Sequence, residues 1–334
     1  MKKRAVQSFA FIALGCLASS LAVADTGLKQ LVDMSKALST SDYTGVYVHQ
    51  RNGELQASKV IHAGQSGGIP RRERLIKLTG DSQEIHRNGE DVTCYFPKQR
   101  SVLIDKNAPK NPFSVAASWD LEQIANNYHV LVSKHAGRVA GRFCQKIILK
   151  PRDKFRYGYR LCIDDQTKML LQADLVGHSG RVLEHMMFTD ISFPDNIASS
   201  EFETTMDFDG VTWVHNPILK VTQPQVSYSV AGSTPKPEWH LEAVPNGFLM
   251  RLKQPAMGSR GKPQRKQMVY SDGLASVSVF IEPIQDKTPL MGLSAMGVIN
   301  AYGRVVDNHQ ITVIGDVPKS TVRSMAMSVS YSQP

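Results

Sequence analysis

Apolar and polar residues alternate along much of residues 43–193, a pattern that predicts a series of antiparallel strands. The first two strands lie on either side of Asn52-Gly53, a dipeptide that favours a type I′ hairpin turn because both of its positions tolerate positive φ. The tetrapeptide Arg-Asn-Gly-Glu recurs at residues 87–90 with unrelated flanks, so we interpret it as a second turn rather than a repeat. The predicted strands cover residues 46–49, 55–62, 92–96, 142–149, 156–163, 168–176 and 181–193.

Two stretches near these strands have helical spacing instead. Residues 27–38 place Leu28, Leu31 and other apolar residues on one side of a short amphipathic helix. Residues 120–128 predict a second helix, with Asp120 as its N-cap. A meander of strands with so few helices must bury one face of its sheet. We therefore expect a curved sheet that wraps around a helix and leaves an apolar cleft.

The pattern changes after residue 194, where prolines punctuate a stretch rich in serine, threonine and valine. We interpret residues 196–237 as a linker between a domain at 25–195 and a domain at 238–334. Three aromatic residues indicate that parts of this linker pack: Phe202, Phe208 and Trp213.

The last domain repeats the strand pattern on a smaller scale. Alternating residues at 267–270 and 274–281 flank Asp272-Gly273, which predicts a hairpin. Residues 310–315 form a further predicted strand. Residues 318–329 place their apolar side chains on one face and predict a closing helix.

Residues 1–24 have the features of a secretory signal peptide. The basic start Lys2-Lys3-Arg4 precedes a short apolar core and the small-residue cleavage site Ala22-Val23-Ala24, so the mature chain is expected to begin at Asp25. The alternative is a lipoprotein signal that is acylated at Cys16. No later stretch approaches the roughly 18 apolar residues of a membrane-spanning helix, so we expect a soluble mature protein.

The net charge of the chain restricts the possible classes of binding partner only slightly. The formal net charge is +9, and loss of the three basic signal residues leaves +6. A basic surface favours anionic partners such as phosphorylated lipid head groups, acidic peptides or nucleic acid. Export argues against nucleic acid, and a charge of this size is explained equally well by solubility.

Three cysteines remain after cleavage of the signal. In a hairpin of residues 142–149 and 156–163 centred on Asp153, Cys144 and Cys162 are equidistant from the turn and should lie opposite each other. An oxidising compartment favours a disulfide between them, which leaves Cys94 as a lone buried thiol. The alternative is that all three are unbonded core residues. None of them has the spacing of a zinc site.

One enzyme motif occurs in the sequence. Residues 64–68 fit G-x-S-x-G with Ser66 as the nucleophile, but that motif needs a helix directly after it, and Gly67, Gly68 and Pro70 follow instead. We interpret the segment as a loop. The ten histidines lack metal-ligand spacing, and no phosphate-binding or dinucleotide-binding glycine motif is present. The sequence therefore predicts a protein that is not an enzyme and has no cofactor or metal.

Basic residues concentrate at 71–74, 150–160 and 260–266. In the middle stretch they alternate with Phe155, Tyr157 and Tyr159. Basic and aromatic residues together favour a surface that binds a peptide or an anionic lipid. A hairpin with one aromatic face and one solvated face would produce the same alternation.

Several longer segments carry a resemblance to a known family. They are residues 152–161 (RDKFRYGYRL), 180–184, 187–190, 270–280 (YSDGLASVSVF), 300–304 and 309–315. Together they resemble the MucB/RseB family, periplasmic regulators of the envelope-stress sigma factor. The resemblance covers nearly the whole mature chain, apart from the loop at 64–70 and the segment at 253–266. It does not imply the Cys144–Cys162 bond, which depends on the hairpin alone.

The resemblance implies a mostly β (α+β) fold. The N-terminal domain would be a half-open antiparallel β-barrel with plugging helices, like that of lipoprotein carriers, and the smaller C-terminal domain a β-sheet with a packed helix. The protein would be a non-catalytic periplasmic regulator that binds the periplasmic part of a membrane-spanning anti-sigma factor and shields it from regulated proteolysis. Lipopolysaccharide or an acyl-chain-like ligand would act as the stress signal and loosen the complex.

Two other functions stay open at this point. One is a periplasmic carrier of lipids or lipoproteins, and the other is an esterase centred on Ser66. The sequence also leaves open whether the protein forms a homodimer. For the regulator, we expect the partner to contact the basic-aromatic hairpin and the turn of the second domain, through Arg152, Lys154, Arg156, Tyr157, Tyr159, Arg160, Tyr270, Ser271 and Asp272.

Overall fold

The computed structural model describes residues 18–65, 68, 70–105, 112–204, 210–215, 238–254, 265–284 and 288–332. The start of the expected signal, with Cys16, lies outside these ranges, as do Ser66, most of the expected linker and residues 260–264 of the third basic stretch. Within the described ranges, no helix combines the length and the apolarity that crossing a bilayer requires.

One large sheet forms the first domain. Its helices are α1 (Ala18–Thr40), α2 (Pro112–Ala116) and α3 (Leu121–Asn127). Its strands are β1 (Tyr43–Arg51), β2 (Glu54–Ala63), β3 (Arg72–Lys77), β4 (Glu84–Asn88), β5 (Asp91–Phe96), β6 (Ser101–Ile104), β7 (Tyr128–Val132), β8 (Gly137–Val139), β9 (Arg142–Pro151), β10 (Gly158–Asp164), β11 (Leu170–Val176), β12 (Val182–Ser192) and β13 (Thr212–His215).

The order of these strands leaves the sheet open. It runs β13-β6-β5-β4-β3-β2-β1-β12-β11-β10-β9-β7, with β8 paired to β9 beside this path. Neighbours are antiparallel except β13, which runs parallel to β6. Because β13 and β7 at the two ends do not pair, the sheet is a half-open barrel, which confirms the predicted fold class.

Helix α1 fills the concave side of this sheet. Leu31 and Leu38, which the sequence predicts for the apolar face, are buried in the main core together with Met34. Val32, also predicted for that face, is exposed. The helix extends beyond the predicted 27–38 at both ends. Where it ends, Gly64 passes so close that a Cβ would lie 2.2 Å from the carbonyl oxygen of Thr40. Gly64, the first glycine of the G-x-S-x-G motif, is therefore explained by its close packing against the end of α1.

The two Arg-Asn-Gly-Glu tetrapeptides form different turns. Asn52 and Gly53 have φ of 56° and 83° between the paired residues that flank them, which confirms a type I′ turn. In the second copy Asn88 is itself paired with Asp91, and Gly89 at φ 61° occupies the first turn position, as in a type II′ turn. The same four residues thus connect strands in two registers.

The disulfide is present, although the predicted register of its hairpin is wrong. Cys144 pairs with Asp164 and Cys162 pairs with Lys146, two residues from the expected alignment. A shift of two residues keeps a side chain on the same face of the sheet, so the two sulfurs still meet, with Cα atoms 5.4 Å apart. Cys94 is free and buried, and this burial raises the pKa of its thiol.

The second domain packs one helix on a six-stranded sheet. Its strands are β14 (Glu238–Leu241), β15 (Leu249–Gln254), β16 (Lys266–Ser271), β17 (Ser276–Pro283), β18 (Gly292–Met296), β19 (Ile299–Val306), β20 (His309–Gly315) and β21 (Val329–Ser332), and its helix is α4 (Lys319–Met327). The sheet order is β15-β16-β17-β20-β19-β18, and β14 pairs with β21. The predicted hairpin, strand and closing helix are all confirmed.

Two short pieces of the expected linker pack against the first domain. A 3₁₀ turn at Ser199–Phe202 lies over β3, where the guanidinium of Arg72 is 4.4 Å from the ring centre of Phe202. Strand β13 extends the sheet beside β6. The boundaries of the linker stay a prediction.

Candidate functional site

The hairpin between β9 and β10 reaches across to the second domain. We call residues 152–157 the hairpin tip. The ring of Phe155 packs against the core of the second domain, and its carbonyl oxygen accepts a hydrogen bond of 2.7 Å from Thr321 in α4. The carbonyl oxygen of Lys154 accepts another, of 3.0 Å, from Ser320. The first turn of α4 therefore holds the tip by its backbone.

Arg156 is the centre of this contact and is fully buried. Its Nη1 donates to Oδ2 of Asp272 in the second domain at 3.1 Å. Its Nε and Nη2 form a two-pronged contact with Asp153 at 3.1 and 3.0 Å, the geometry in which guanidinium–carboxylate hydrogen bonds are strongest. Nη2 also donates to the carbonyl oxygen of Asn246. The guanidinium lies 5.1 Å from the ring centre of Phe248, within cation–π range.

Asp272 is fully buried and is satisfied on both carboxylate oxygens. Oδ1 accepts from the backbone N–H groups of Leu274 and Ala275 at 3.0 and 2.8 Å, which closes the hairpin turn. Oδ2 accepts from Arg156 and, at 3.1 Å, from the hydroxyl of Tyr128. Burial, together with the negative charge of Asp272, raises the pKa of Tyr128 well above its usual range, so this hydroxyl stays a donor.

We call Arg156, Asp153, Asp272 and Tyr128 the interdomain latch. Its charges are paired, which matters because an unpaired charge at such depth is strongly unfavourable. The backbone of the second domain also comes close to a side chain of the first domain here. Gly247, at φ +83°, lies where a Cβ would be 1.9 Å from Oδ1 of Asn127, so only glycine fits both the turn and the contact.

A cavity of about 260 Å³ lies between the two domains beside the latch. We call it the interdomain cavity. Its apolar lining comes from both domains and includes Trp119, Tyr159, Leu175, Met186, Leu274 and Val298. The rings of Trp119 and Tyr159 meet edge to face with centres 5.5 Å apart. Burial raises the pKa of Tyr159 well above its usual range, so the phenol is neutral.

Two carboxylates, an arginine and a histidine line the same cavity. Glu184 binds Nε of Arg51 at 2.6 Å and Nε2 of His49 at 3.5 Å. Asp316, which directly follows β20, is the other carboxylate. It accepts a backbone hydrogen bond of 3.3 Å from Ser276. Burial raises its pKa, and the negative charges of Asp272 and Glu184 add to the rise.

The structure brings together the two segments that the sequence predicts for partner binding. Their central residues contact one another rather than solvent. Arg156 and Asp272 are buried in the latch, and Tyr270 is buried in the second-domain core. Tyr157 accepts a hydrogen bond from Asn300, and Tyr159 lines the cavity. The others are at least partly exposed: Arg152, Lys154, Arg160 and Ser271. Their role in binding a partner stays a prediction.

The sequence pattern did not indicate Tyr128, Asp153 or Asp316. Tyr128 and Asp316 become part of the site through contacts far along the chain, such as that between Tyr128 and Asp272, and no local periodicity marks them. Asp153 joins the site through Arg156, three residues along the same hairpin tip. Among the described residues no cluster of His, Cys, Asp or Glu has the geometry of a metal site.

Comparisons with known proteins agree with both domains. The family model of the MucB/RseB N-terminal domain matches residues 26–206, and that of the MucB/RseB C-terminal domain matches residues 233–330. The sigma factor AlgU regulatory protein MucB of Pseudomonas aeruginosa is 28% identical over 94% of this chain and 95% of its own length. The sigma-E factor regulatory protein RseB of Haemophilus influenzae is 23% identical over 98% of this chain and 99% of its own.

Solved structures share the fold. A complex of Pseudomonas aeruginosa MucA and MucB matches with a TM-score of 0.71 and 24% identity, covering 92% of this chain and 100% of that one. MucB in complex with MucA(peri) matches with a TM-score of 0.68, also at 24% identity, over 93% of this chain and 100% of that one. Both domains, in their order along the chain, are accounted for by these matches. The chain therefore belongs to the MucB/RseB family.

Proposed function

We propose that this protein is a non-catalytic periplasmic regulator that binds the periplasmic part of a membrane-spanning anti-sigma factor. The observation that carries the proposal is the match over both domains to regulatory proteins of sigma factors, with 94% and 98% of this chain covered. The solved complexes with MucA support the same partner class, since they have this fold. The signal-like residues 1–24 support export.

The arrangement of the domains supports the proposal that the partner contacts both of them. The latch holds the hairpin tip of the first domain against Asp272 and α4 of the second, so the surfaces on either side of the boundary have one relative position. A partner that prefers this position would stabilise it, and a ligand that prefers another would release the partner. Two ligands can therefore compete through the arrangement of the domains, whether or not they share a site.

We further propose that the bound partner is shielded from regulated proteolysis and that a lipid-like stress signal loosens the complex. Shielding follows if the partner's cleavage site is ordered against the protein, because proteases need extended, accessible chain. The apolar lining of the interdomain cavity, which both domains supply, supports a signal that carries an acyl chain. Lipopolysaccharide added to the complex is expected to lower the apparent affinity for the partner.

For contact residues, we propose the exposed basic side chains around the tip, Arg152, Lys154 and Arg160. They add positive charge beside the domain boundary, which favours an acidic partner segment and speeds its association. Arg156 and Asp272 would act on the partner only through the arrangement of the domains, because both are fully buried.

The test is binding of the purified mature protein to the periplasmic domain of the anti-sigma factor, by calorimetry. Replacing Arg152 and Lys154 by glutamate is expected to weaken binding at least about tenfold at low salt, with a smaller loss at high salt. Replacing Lys29 and Lys36 by glutamate, an equal charge change at exposed positions of α1, is the matched control and should leave binding unchanged. No binding by the wild type, or an unchanged envelope-stress response in a deletion strain, would contradict the proposal.

A second candidate is a periplasmic carrier of lipids or lipoproteins, favoured by the apolar cavity alone. The carrier predicts stoichiometric acyl-chain binding and a transport defect on deletion. At about 260 Å³ the cavity is below the roughly 300–1,000 Å³ of pockets that enclose drug-sized ligands, so it is small for a multi-chain lipid. A carrier also has no need of the second domain and its buried latch.

A further inference from the structure

Asp316 differs from Glu184, the other carboxylate of the interdomain cavity, in forming no ion pair with a basic side chain of the described residues. Its hydrogen bonds come from backbone N–H groups, those of Ser276 and of its own residue. Arg51 and His49, the basic side chains of the lining, both face Glu184. Their contacts leave the charge of Asp316 uncompensated at the boundary between the domains.

The charge balance of the lining therefore favours a cation. Arg51 and Glu184 neutralise each other at 2.6 Å, which leaves one carboxylate that lines a largely apolar space. A half-buried carboxylate in such a place is stabilised by any ammonium or guanidinium group that enters. The raised pKa of Asp316, which comes first from burial and then from nearby negative charge, is the response expected when that cation is missing.

The rest of the lining suits the stem of a basic side chain. The edge-to-face pair of Trp119 and Tyr159 offers aromatic surface for a cation, and Leu175 and Met186 offer aliphatic contact. Lysine and arginine bury their methylene stems along apolar surface while the charged end finds a polar partner. The volume of about 260 Å³ is on the scale of one long side chain rather than of a whole ligand of drug size.

We propose that the interdomain cavity binds an ammonium or guanidinium group on an aliphatic stem, with Asp316 as its counter-ion. Building on the proposed function, we assign its occupant as a lysine or arginine side chain of the bound anti-sigma factor. Leu274, Val298 and Asp316 of the second domain and Trp119 of the first line the same space. One anchoring side chain from the partner would therefore contact both domains at once.

The site itself is tested without the partner. Hexylammonium and hexanoate have similar stems and opposite charges, and binding of each to the mature protein is measured by ligand-observed NMR. Hexylammonium is expected to bind and hexanoate to bind at least about tenfold more weakly, the factor typical of a hydrogen bond to a charged group. Equal binding of the two, or tighter binding of hexanoate, would overturn the site.

Asp316→Asn removes the charge but keeps an oxygen for the Ser276 N–H. It is expected to weaken hexylammonium binding about tenfold or more, while Asp190→Asn, an exposed change on β12, has no effect. Unchanged binding in Asp316→Asn would overturn the role of Asp316.

The occupant is tested with the full periplasmic domain of the anti-sigma factor. Asp316→Asn should weaken it about tenfold or more, and hexylammonium should compete with it for the wild type. If the wild type binds the partner and Asp316→Asn binds it equally well, the assigned occupant is wrong and the proposed function stands. If the wild type does not bind the partner at all, the proposed function and the occupant fail, and the NMR result still decides the cation site. Displacement of hexylammonium by phosphatidylethanolamine vesicles, but not by the partner, would also overturn the assigned occupant.

Discussion

Asp272 and Asp316 are two carboxylates of the second domain that face the first domain, and their surroundings are opposite. Asp272 receives hydrogen bonds from Arg156, Tyr128 and two backbone N–H groups. Asp316 accepts from backbone N–H groups, those of Ser276 and of its own residue, and is paired with no basic side chain among the described residues. The first carboxylate thus joins the domains, whereas the second adds negative charge to a cavity between them.

At one domain boundary, aspartate therefore has two roles. Asp272 is structural, and Asp316 is available to bind a ligand. A buried carboxylate with its full set of donors contributes to a single arrangement of the domains, since removing any partner leaves a charge unpaired. A buried carboxylate without a counter-ion destabilises the folded protein, and binding of a cation restores that stability. Four changes, taken from the largest expected effect to the smallest, break or sharpen this comparison.

Arg156→Met removes the cation from the latch and leaves Asp272 buried without it. We expect the free energy of unfolding to fall by about 3–5 kcal/mol, the cost of breaking a buried ion pair from one side. Urea denaturation followed by tryptophan fluorescence measures the loss. Arg160→Met, in the same hairpin but exposed, is the control and should cost less than about 0.5 kcal/mol. Similar losses in the two variants would contradict the latch.

Replacing both Cys144 and Cys162 by serine loosens the hairpin that carries Arg156 while leaving both carboxylates in place. The bond joins residues 18 apart, so we expect a loss of about 3 kcal/mol in the free energy of unfolding. Dithiothreitol should lower the denaturation midpoint of the wild type and leave that of the double variant unchanged. A fall of equal size in both would show that the reductant acts elsewhere.

Asp272→Asn removes the charge of the latch but keeps Oδ1 for the N–H groups of Leu274 and Ala275. We expect a loss of about 1.5–3 kcal/mol, less than for Arg156→Met because Asp153 still pairs with the guanidinium. In a double-mutant cycle the two changes should be coupled by about 1 kcal/mol or more. Losses that add within about 0.5 kcal/mol would mean that the two side chains act independently.

Asp316→Asn is expected to stabilise the protein, the opposite of Asp272→Asn. The pKa of Asp316 in the folded protein lies above its ordinary value of 3.8. The ionised carboxylate therefore lowers the free energy of unfolding. This loss is absent below the pKa of the unfolded chain and develops as the pH rises through the pKa of the folded protein. The gain should be about 0.5–2 kcal/mol at pH 7 and should shrink as the pH falls toward 4. Urea midpoints across this range measure it. A loss of stability at pH 7 would contradict an unpaired carboxylate.

Elements that depend on neighbouring residues could be predicted from the sequence. The side chain of Asp120 accepts from the N–H of Gln123 and begins α3, as its residue type indicates. The type I′ turn and the disulfide follow from two-residue and same-face relations. Strand β3 escaped prediction because Glu73 and Arg74 are charged on opposite faces and both are buried, where the pattern expects apolar residues.

Those charges are paired across strands, which a linear pattern cannot reveal. Arg74 binds Glu84 through two nitrogens at 3.1 Å, and Glu73 lies 3.5 Å from Arg87. Each pair joins β3 to β4, so the strand is stabilised by contacts that form only when the sheet does. The predicted hairpin register failed for a related reason, because contacts with α4 of the second domain hold the tip in addition to the hydrogen bonds that Asp153 accepts within it.

By itself, the sequence determined about half of the described strands, the helices α1, α3 and α4, the division into two strand-rich parts and the face that the two cysteines share. These properties depend on steric preferences and periodicity over a few residues, and those act wherever the chain goes. Only the tertiary structure decided that Arg156 meets Asp272, 116 positions along the chain, and that Asp316 is paired with no basic side chain in the part of the chain that the structure describes. Both outcomes depend on how two domains pack, because the partners that packing places beside a buried charge decide whether that charge stabilises or destabilises the protein.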